Sequence, residues 1–321
     1  MKKILFTLLA SIIGITSYSQ TVANPFEYVF EDDIPQAKKL IEAYFTPMTK
    51  SFGLGLNNGW YNTAKPHSLG GFDLTFTVNT VIIPNSAKTF NIQDAGGSIF
   101  VSNQTEASTI FGSDNKTEMD YYPANTGVLV DSFEMPGGFN TSIVPIPMIQ
   151  AGIGLIKKTD ITVRYMPRLN IGNNINVNVF GIGLRHDLLQ WIPIVGDAFP
   201  MSLSLQGGYT NLNTEVKVYD QKTSLNTKAA TINLIASRKI LMVTGYAGIG
   251  YSSTSTTFTT DANFDLRGIK FDEKLSIDFE RNQKLRANLG LRFNITLLTI
   301  QTDYTFAKYP TATLGIGVSL R

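Results

Sequence analysis

Residues 285–296 read LRANLGLRFNIT and alternate apolar and polar side chains without a break. The apolar face consists of Leu285, Ala287, Leu289, Leu291, Phe293 and Ile295, and the polar face consists of Arg286, Asn288, Gly290, Arg292, Asn294 and Thr296. A period of two is that of a β-strand, whose successive side chains point to opposite faces. A strand of about ten residues crosses a bilayer at the usual tilt. The stretch therefore predicts a membrane-crossing strand with one face towards lipid.

Alternating stretches of similar length recur along the chain. We predict strands near residues 72–83, 142–156, 160–170, 175–186, 200–213, 226–239, 241–258, 274–296, 298–308 and 310–321. Short turns alternate with long polar connections at 214–225 and 259–273, as in transmembrane barrels, whose short turns are periplasmic. The pattern predicts an all-β fold, an antiparallel transmembrane β-barrel of ten strands. A weak hairpin, 89–92 with 98–101, would raise the count to twelve.

A secreted β-sandwich also alternates apolar and polar side chains, with the apolar face inward. Strand length separates the two folds, because globular strands average five or six residues and the predicted strands have ten or more. Tyrosines lie in or near the predicted strand ends, as an aromatic girdle would: Tyr165, Tyr209, Tyr246, Tyr251, Tyr304 and Tyr309. We therefore favour the barrel, spanning residues 69–321.

The chain begins with the pattern of a signal peptide, residues 1–19. Lys2 and Lys3 precede an apolar run at 4–15, and Ser17 and Ser19 stand three and one residues before a cut ahead of Gln20. The chain has no cysteine, so disulfides and thiolate metal sites are excluded. A net charge of +2 makes nucleic acid an unexpected partner.

Residues 20–68 predict a helix followed by a coil rich in glycine and asparagine. Asp33 and Gln36 have the spacing of a helix cap, and Pro47 is expected to end the helix. Two positions are open for this segment: a periplasmic helix against the barrel mouth, or a plug inside the lumen.

Residues that could carry chemistry are few. The two histidines, His67 and His186, are linked to no nucleophile motif, so a catalytic triad is not expected. The Gly-x-Gly units at 152–154, 181–183 and 248–250 lie inside predicted strands, where glycine marks a bend or close packing of a plug. We predict neither enzymatic activity nor a metal or other cofactor.

The polar strand faces are assigned to the lumen, because a charge on the lipid face costs about 2–4 kcal/mol at midplane. They carry Asp73, Gln150, Arg164, Arg168, Gln206, Asp278, Glu280, Arg286, Arg292, Gln301 and Asp303. Two interpretations are open: a charge network that fills the lumen, or a constriction that contacts a ligand. A hairpin centred near Leu297 would place Asp303 beside Arg292, which predicts an Arg292–Asp303 pair.

The last residues, 311–321, read TATLGIGVSLR. Thr313, Gly315, Val318 and Leu320 have a spacing that resembles the C-terminal insertion signal of outer-membrane barrels. The resemblance implies export to the outer membrane of a Gram-negative bacterium, with the barrel-insertion machinery and outer-membrane lipid as partners.

Residues 57–83 (NNGWYNTAKPHSLGGFDLTFTVNTVII) resemble the hatch-to-first-strand junction of the FadL/TodX family, which transports fatty acids and aromatic hydrocarbons. That family has aromatic-Asn-Pro-Ala before an alternating strand; Tyr61, Asn62 and Ala64 match, and Thr63 replaces the proline. The resemblance implies fourteen strands as an alternative count, and a plug made by Asn57, Asn58, Trp60, Tyr61, Asn62 and Ala64. The whole chain also resembles a family of Bacteroidota barrels of unknown function, in which TSYSQ (16–20) is typical at the cleavage point.

Three functions are consistent with the sequence. The FadL/TodX resemblance implies passive transport of small hydrophobic molecules. One alternative is a non-transporting barrel that presents its loops or mouth to a surface or secretion complex. The other is a general porin, which ten to twelve strands and a plug disfavour.

Overall fold

A computed structural model describes residues 33–171, 175–192, 200–218, 221–266 and 269–320. The predicted signal peptide lies outside these residues. Ten strands close into a barrel. They are β1 (Phe72–Ile82), β7 (Ile143–Leu155), β8 (Thr159–Ile171), β9 (Ile175–Asp187), β10 (Ser202–Val218), β11 (Gln221–Ile240), β12 (Val243–Leu266), β13 (Ile269–Ile295), β14 (Leu298–Phe306) and β15 (Thr311–Leu320).

The first strand closes the barrel by pairing on both sides. Phe72 lies opposite Leu320 of β15 and opposite Ile153 of β7. Each barrel strand is antiparallel to its neighbours. The predicted antiparallel barrel of ten strands is confirmed, and the counts of twelve and fourteen are wrong.

The two ends of the barrel differ. At one, which we call the turn end, lie the start of β1, the end of β15 and the short turns at 156–158, 241–242 and 296–297. At the other, which we call the cap end, residues 83–142 connect β1 to β7. Outer-membrane barrels have longer loops on the extracellular side than on the periplasmic side, so the long connection of residues 83–142 predicts that the cap end is the extracellular one.

The outward face of the barrel is apolar. On β13, Leu285 and Leu289 are 82% and 58% exposed, whereas Arg286 and Arg292 are buried at 7% and 2%. On β15, Val318 and Leu320 of the insertion signal point outward, and Thr313 and Gly315 point inward. Such a continuous apolar surface suits hydrocarbon and not water. The fold is therefore that of an outer-membrane β-barrel.

The connection between β1 and β7 folds into a small cap. It contains β2 (Thr89–Asn91), helix α2 (Ile92–Gly96), β3 (Phe100–Val101), β4 (Glu106–Ser108), β5 (Thr117–Tyr121) and β6 (Asp131–Met135). β2 pairs with β4, and a second sheet has the order β3-β5-β6. The weak hairpin predicted from 89–92 and 98–101 is wrong, because its two arms belong to different sheets.

The polar connections predicted at 214–225 and 259–273 are also largely strand. β10 and β11 remain paired as far as Val218 and Gln221, and β12 and β13 as far as Leu266 and Ile269. Beyond the membrane neither face of a strand meets lipid. The period-two apolar signal therefore disappears while the backbone pairing continues.

Helix α1 (Ile34–Leu56) precedes the barrel strands and is longer than predicted. Pro47 lies within it and does not end it. Asp33 does not cap it through its side chain; that carboxylate instead accepts hydrogen bonds from the Tyr121 hydroxyl and from the Ala124 backbone N–H. Among the described residues no helix is both long and apolar enough to cross a membrane.

Helix α1 shares one apolar core with the cap and the upper barrel wall. Leu40, Tyr44 and Leu56 belong to the same buried cluster as Phe100 and Ile146. The Tyr44 hydroxyl donates to the Gly137 carbonyl at 2.9 Å. Burial raises the pKa of Tyr44 to about 12, so the hydroxyl keeps this proton at neutral pH.

Candidate functional site

Residues 57–71 form a segment that we call the plug; the lumen is occupied by residues 57–67, and residues 68–70 are exposed at the turn end. The plug leaves the end of α1 and runs to the start of β1 at the turn end. The residues singled out from the sequence are all 6% exposed or less: Asn57, Asn58, Trp60, Tyr61, Asn62 and Ala64. Of the two positions open for this segment, the structure places these residues within the lumen and not below it.

Arg164 on β8 is fully buried and holds the top of the plug. Its two terminal nitrogens donate to the carbonyls of Leu56 and Asn58, each at 2.7 Å. Its Nε donates to Gln150 on β7 at 3.0 Å. Three fixed donors of one guanidinium therefore orient the chain where it leaves the helix.

Arg286 on β13 approaches the same point from across the lumen. It donates to the Asn57 carbonyl at 2.6 Å and to the Asn58 side-chain oxygen. Thr305 on β14 donates to that same oxygen at 2.8 Å. Asn57 and Asn58 are thus contacted by strands from opposite sides of the barrel.

The end of α1 explains why arginines are needed here. The last carbonyls of a helix have no partners within the helix and carry partial negative charge. The Leu56 carbonyl accepts from Arg164, and the Gly55 carbonyl accepts from the Asn79 amide at 2.9 Å. Arg164, Arg286 and Asn79 thus donate hydrogen bonds to the buried carbonyls at the end of α1.

Trp60 lies between an arginine and a wall of glycine. The Arg164 guanidinium carbon is 3.6 Å from the centroid of the indole ring. On the wall, a Cβ at Gly183 of β9 would come within 2.7 Å of the Trp60 ring, and one at Gly208 of β10 within 2.5 Å. Only glycine lets the ring lie this close to the strands. Gly154 and Gly248, from two other Gly-x-Gly units, face Ser68 and Tyr61 of the plug.

Below Trp60 the plug is bound by side-chain hydrogen bonds. The Tyr61 hydroxyl donates to Asn288 at 2.7 Å. The Asn62 amide nitrogen donates to Gln301, and its oxygen accepts from Arg292 at 3.0 Å.

The predicted Arg292–Asp303 pair is wrong. Arg292 lies opposite Gln301 and Asp303 opposite Gly290, one position from the expected register. Asp303 accepts from the Tyr246 hydroxyl at 3.0 Å instead. The plug supplies the polar partner that Arg292 was expected to find on its own hairpin.

At the turn end, a cluster around His67 fastens the bottom of the plug. His67 is 2% exposed; its Nδ1 lies 2.9 Å from Asp160 on β8 and its Nε2 lies 3.3 Å from Asp73 on β1. Arg185 on β9 donates to Asp160 and also to the Thr63 carbonyl at 2.7 Å. The sequence did not single out Asp160 or Arg185. Both lie at alternate positions of their strands whose side chains point into the lumen.

Most of the predicted lumen residues are buried on the inner face, at 9% exposure or less: Asp73, Gln150, Arg164, Gln206, Arg286, Arg292, Gln301 and Asp303. Gln206 accepts from the Asn233 amide, which adds a contact within the wall.

Two assignments to the lumen are wrong. Arg168 is exposed and pairs with Glu215, and Asp278 is exposed and accepts from Thr257. A register shift separates each from the regular part of its strand, between Met166 and Leu169 in β8 and opposite Thr254–Thr256 in β13. A β-bulge adds one residue to a strand, so the side chains beyond it point to the opposite face. The side chain of Glu280 lies outside the described residues.

The contacts leave little free space around the top of the plug. A cavity of about 10 Å³ is lined by Asn57, Asn58, Arg286 and Thr305 among others, which is at the lower limit for one water molecule. The described residues include no cluster of three or more histidine and carboxylate side chains that could hold a metal ion. The arrangement is suited to holding a segment of chain in place.

The fold and the lumen contacts define a class of protein: an outer-membrane β-barrel whose lumen is filled by its own amino-terminal segment. The model of a family of unknown function, DUF6588, matches residues 1–320, and the chain belongs to that family. Curated proteins give no significant match.

Solved structures similar to this chain include other barrels. The translocator domain of the autotransporter NalP from Neisseria meningitidis is 10% identical, with 93% of this chain and 100% of that chain covered and a TM-score of 0.29. The outer membrane protease OmpT from Escherichia coli is 8% identical, with 82% and 100% covered and a TM-score of 0.32. The transport unit of the autotransporter AIDA-I from Escherichia coli is 8% identical, with 86% and 99% covered and a TM-score of 0.31.

Proposed function

We propose that this protein is a closed barrel of the outer membrane that passes no solute and presents its cap to a partner outside the cell. One observation carries the proposal. Arg164, Arg185 and Arg286, from three different strands, donate hydrogen bonds to backbone carbonyls of residues 56–63. A hydrogen bond to a charged group contributes about 1.5–3 kcal/mol, and opening the lumen would break several at once.

The surface of the cap supports a role in binding. Val128, Leu129 and Val130 are adjacent and large, and each is about half exposed or more. They lead into β6, which pairs with β5 alone among the described strands and so lies at a sheet edge. Exposed apolar residues beside an open strand edge are suited to an extended segment of a partner protein.

Passive uptake of small hydrophobic molecules is the second candidate. The FadL/TodX resemblance of residues 57–83 favours it, as do the apolar contacts at the top of the lumen, where Phe45 of α1 stacks on Phe258 of β12 at 5.7 Å. Uptake would need the polar contacts of the plug to open. A lipid or hydrocarbon that copurifies with the full chain and is released in stoichiometric amount would favour this candidate.

Conductance in planar bilayers tests the closed barrel. We expect the full chain to show no steady opening and liposomes containing it not to swell in sugars. A variant lacking residues 24–66, placed behind the signal peptide, should conduct, because the lumen loses α1 and most of the plug. Steady conductance by the full chain at the level of this variant would overturn the proposal.

A further inference from the structure

Two cations stand at the ends of the outward face of β11. Lys228 and Arg238 are exposed, and Ile232 and Leu234 point outward between them. From Lys228 to Arg238 the strand is about 33 Å long, and a tilt of about 35–45° reduces this length to roughly the 25 Å height of the apolar band of a barrel. The two cations therefore lie at the two headgroup levels of the membrane, with Arg238 at the turn end.

Arg238 is an unpaired cation beside open space. Within the part of the chain that the structure describes, its guanidinium has no hydrogen-bond or ion-pair partner. Its neighbour across the β11–β12 pair is Gly245, where an added Cβ would meet nothing within 4 Å. A guanidinium presents several N–H donors in one plane, which suits two parallel hydrogen bonds to a phosphate or a carboxylate. The position is therefore suited to an anion that approaches over Gly245.

An apolar groove begins at Arg238 and runs over the outward face of the barrel. Its volume is about 660 Å³. Small side chains of β11 and β12 line it, with larger ones of β13 beside them: Ala236, Gly245, Ala247, Leu289 and Leu291. The next outward pair towards the cap end, Leu234 and Ile249, has large side chains and lies outside the groove. Along β11 the groove therefore extends about 13 Å from Arg238.

We propose that this groove binds one phospholipid of the surrounding membrane, with its phosphate on Arg238 and the first part of an acyl chain over Gly245 and Ala247. The groove faces hydrocarbon, so most of its occupant must be apolar. The unpaired cation at its headgroup-level end requires an anion there, and a phospholipid carries its phosphate at the boundary where Arg238 lies. The site is outside the barrel, so the proposal holds whether or not the lumen is closed.

Native mass spectrometry of the full chain, released from detergent, tests the site with phosphatidylglycerol as the probe. We expect one phosphatidylglycerol to stay bound at low lipid concentration, and a diacylglycerol with the same chains, which lacks the phosphate, to bind far less. Arg238→Gln removes the cation and should weaken binding at least about tenfold, as the loss of a hydrogen bond to a charged group does. Gly245→Leu fills the groove and should cause a loss of similar size.

Two changes on the same face of β11 are matched controls outside the groove. Lys228→Gln removes one positive charge at the other end of the face, and Ala230→Leu adds a large side chain there. We expect both variants to bind phosphatidylglycerol as the unchanged chain does. Heat-modifiable gel mobility reports whether each variant is folded. Arg238→Gln alters an exposed side chain and carries the test by itself if Gly245→Leu does not assemble.

Unchanged binding by Arg238→Gln would overturn the proposal. An equal loss with Lys228→Gln would also overturn it, because it would mean adsorption by charge alone. A dimer that Gly245→Leu dissociates, in place of bound lipid, would show that the groove meets a second copy of the chain and not a phospholipid.

Discussion

At the scale of the residue, the side of the strand decides what a substitution does. Leu289 and Asn288 are neighbours on β13, but Leu289 is 58% exposed towards lipid and Asn288 is 4% exposed in the lumen. From the sequence, Asn288→Arg would be tolerated as a substitution into a polar lumen. The structure makes it disruptive, because Asn288 is buried and accepts from Tyr61, and an arginine there removes that acceptor and adds a larger charged side chain beside the plug.

We expect Leu289→Arg to block assembly of the barrel. A charge on the lipid face costs about 2–4 kcal/mol near midplane, and Leu289 lies in the middle of the run from Leu285 to Ile295. Heat-modifiable gel mobility reports assembly, and Leu289→Phe is the matched control that keeps the face apolar. Equal assembly of the two variants would mean that this face does not meet lipid.

Arg164 and Arg168 allow a second residue-scale prediction, since they are four positions apart on one strand. Arg164→Met removes the donor of the Leu56 carbonyl, at about 1–3 kcal/mol for a buried group, and leaves the Asn58 carbonyl with the Asn79 amide at 3.3 Å. The Arg168 side chain is 60% exposed, and an exposed pair contributes about 0–1 kcal/mol. We expect only Arg164→Met to lower the melting temperature in detergent clearly. A similar shift for both would contradict the role given to Arg164.

At the scale of the element, the strands combine a regular alternation with local interruptions. β13 alternates from Leu285 to Ile295, with Arg286 and Asn288 buried, whereas Ile277 and Phe279 are buried and Asp278 is exposed. The register shift between the two parts turns the extramembrane portion of the strand over. The position of a strand can therefore be predicted correctly even where the direction of its side chains beyond a register shift is not.

The glycine wall of β9 and β10 gives the element-scale prediction. Gly183→Val would bring its side chain into the Trp60 ring and displace the plug, whereas a Cβ at Gly245 meets nothing within 4 Å. The chain has two tryptophans, so a Trp191→Phe background isolates the emission of Trp60. We expect a red shift with Gly183→Val and none with the control Gly245→Val. An unchanged spectrum for Gly183→Val would mean that the ring does not rest on this wall.

At the scale of the whole molecule, α1 connects the cap to the barrel. It shares an apolar core with the cap, and its terminal carbonyls are bound by lumen arginines. From the sequence alone, a polar, glycine-rich coil after the helix predicts a mobile plug that the barrel can lose and still fold. The structure indicates that the amino-terminal segment also contributes to stability, because its removal exposes the core of the cap and leaves buried arginines without partners.

We expect the variant lacking residues 24–66 to insert and fold, but to lose its heat-modifiable mobility at a lower temperature than the full chain. The strand pairing is complete without this segment, and the lumen contacts are not. Gel mobility over a temperature series measures the difference. A transition at the temperature of the full chain would show that the plug adds no stability, and failure to insert would show that it is needed for assembly.

The barrel, its ten strands and most of its inward-facing residues could be predicted from the sequence, because lipid imposes a period of two that is visible in residues 285–296. The extramembrane strands could not be predicted, because no lipid imposes that period on them. The helix was expected to end at Pro47, since a proline lacks the N–H that a helix interior needs.

Only the tertiary structure shows what the charged side chains of the lumen bind. Arg164, Arg185 and Arg286 bind carbonyl oxygens, and every residue carries a carbonyl, so no side-chain pattern marks the partner. Those partners lie more than 100 residues away in the chain. The direction of the plug likewise depends on contacts between distant segments, such as those of Tyr61 with Asn288 and of Ala64 with Ser204.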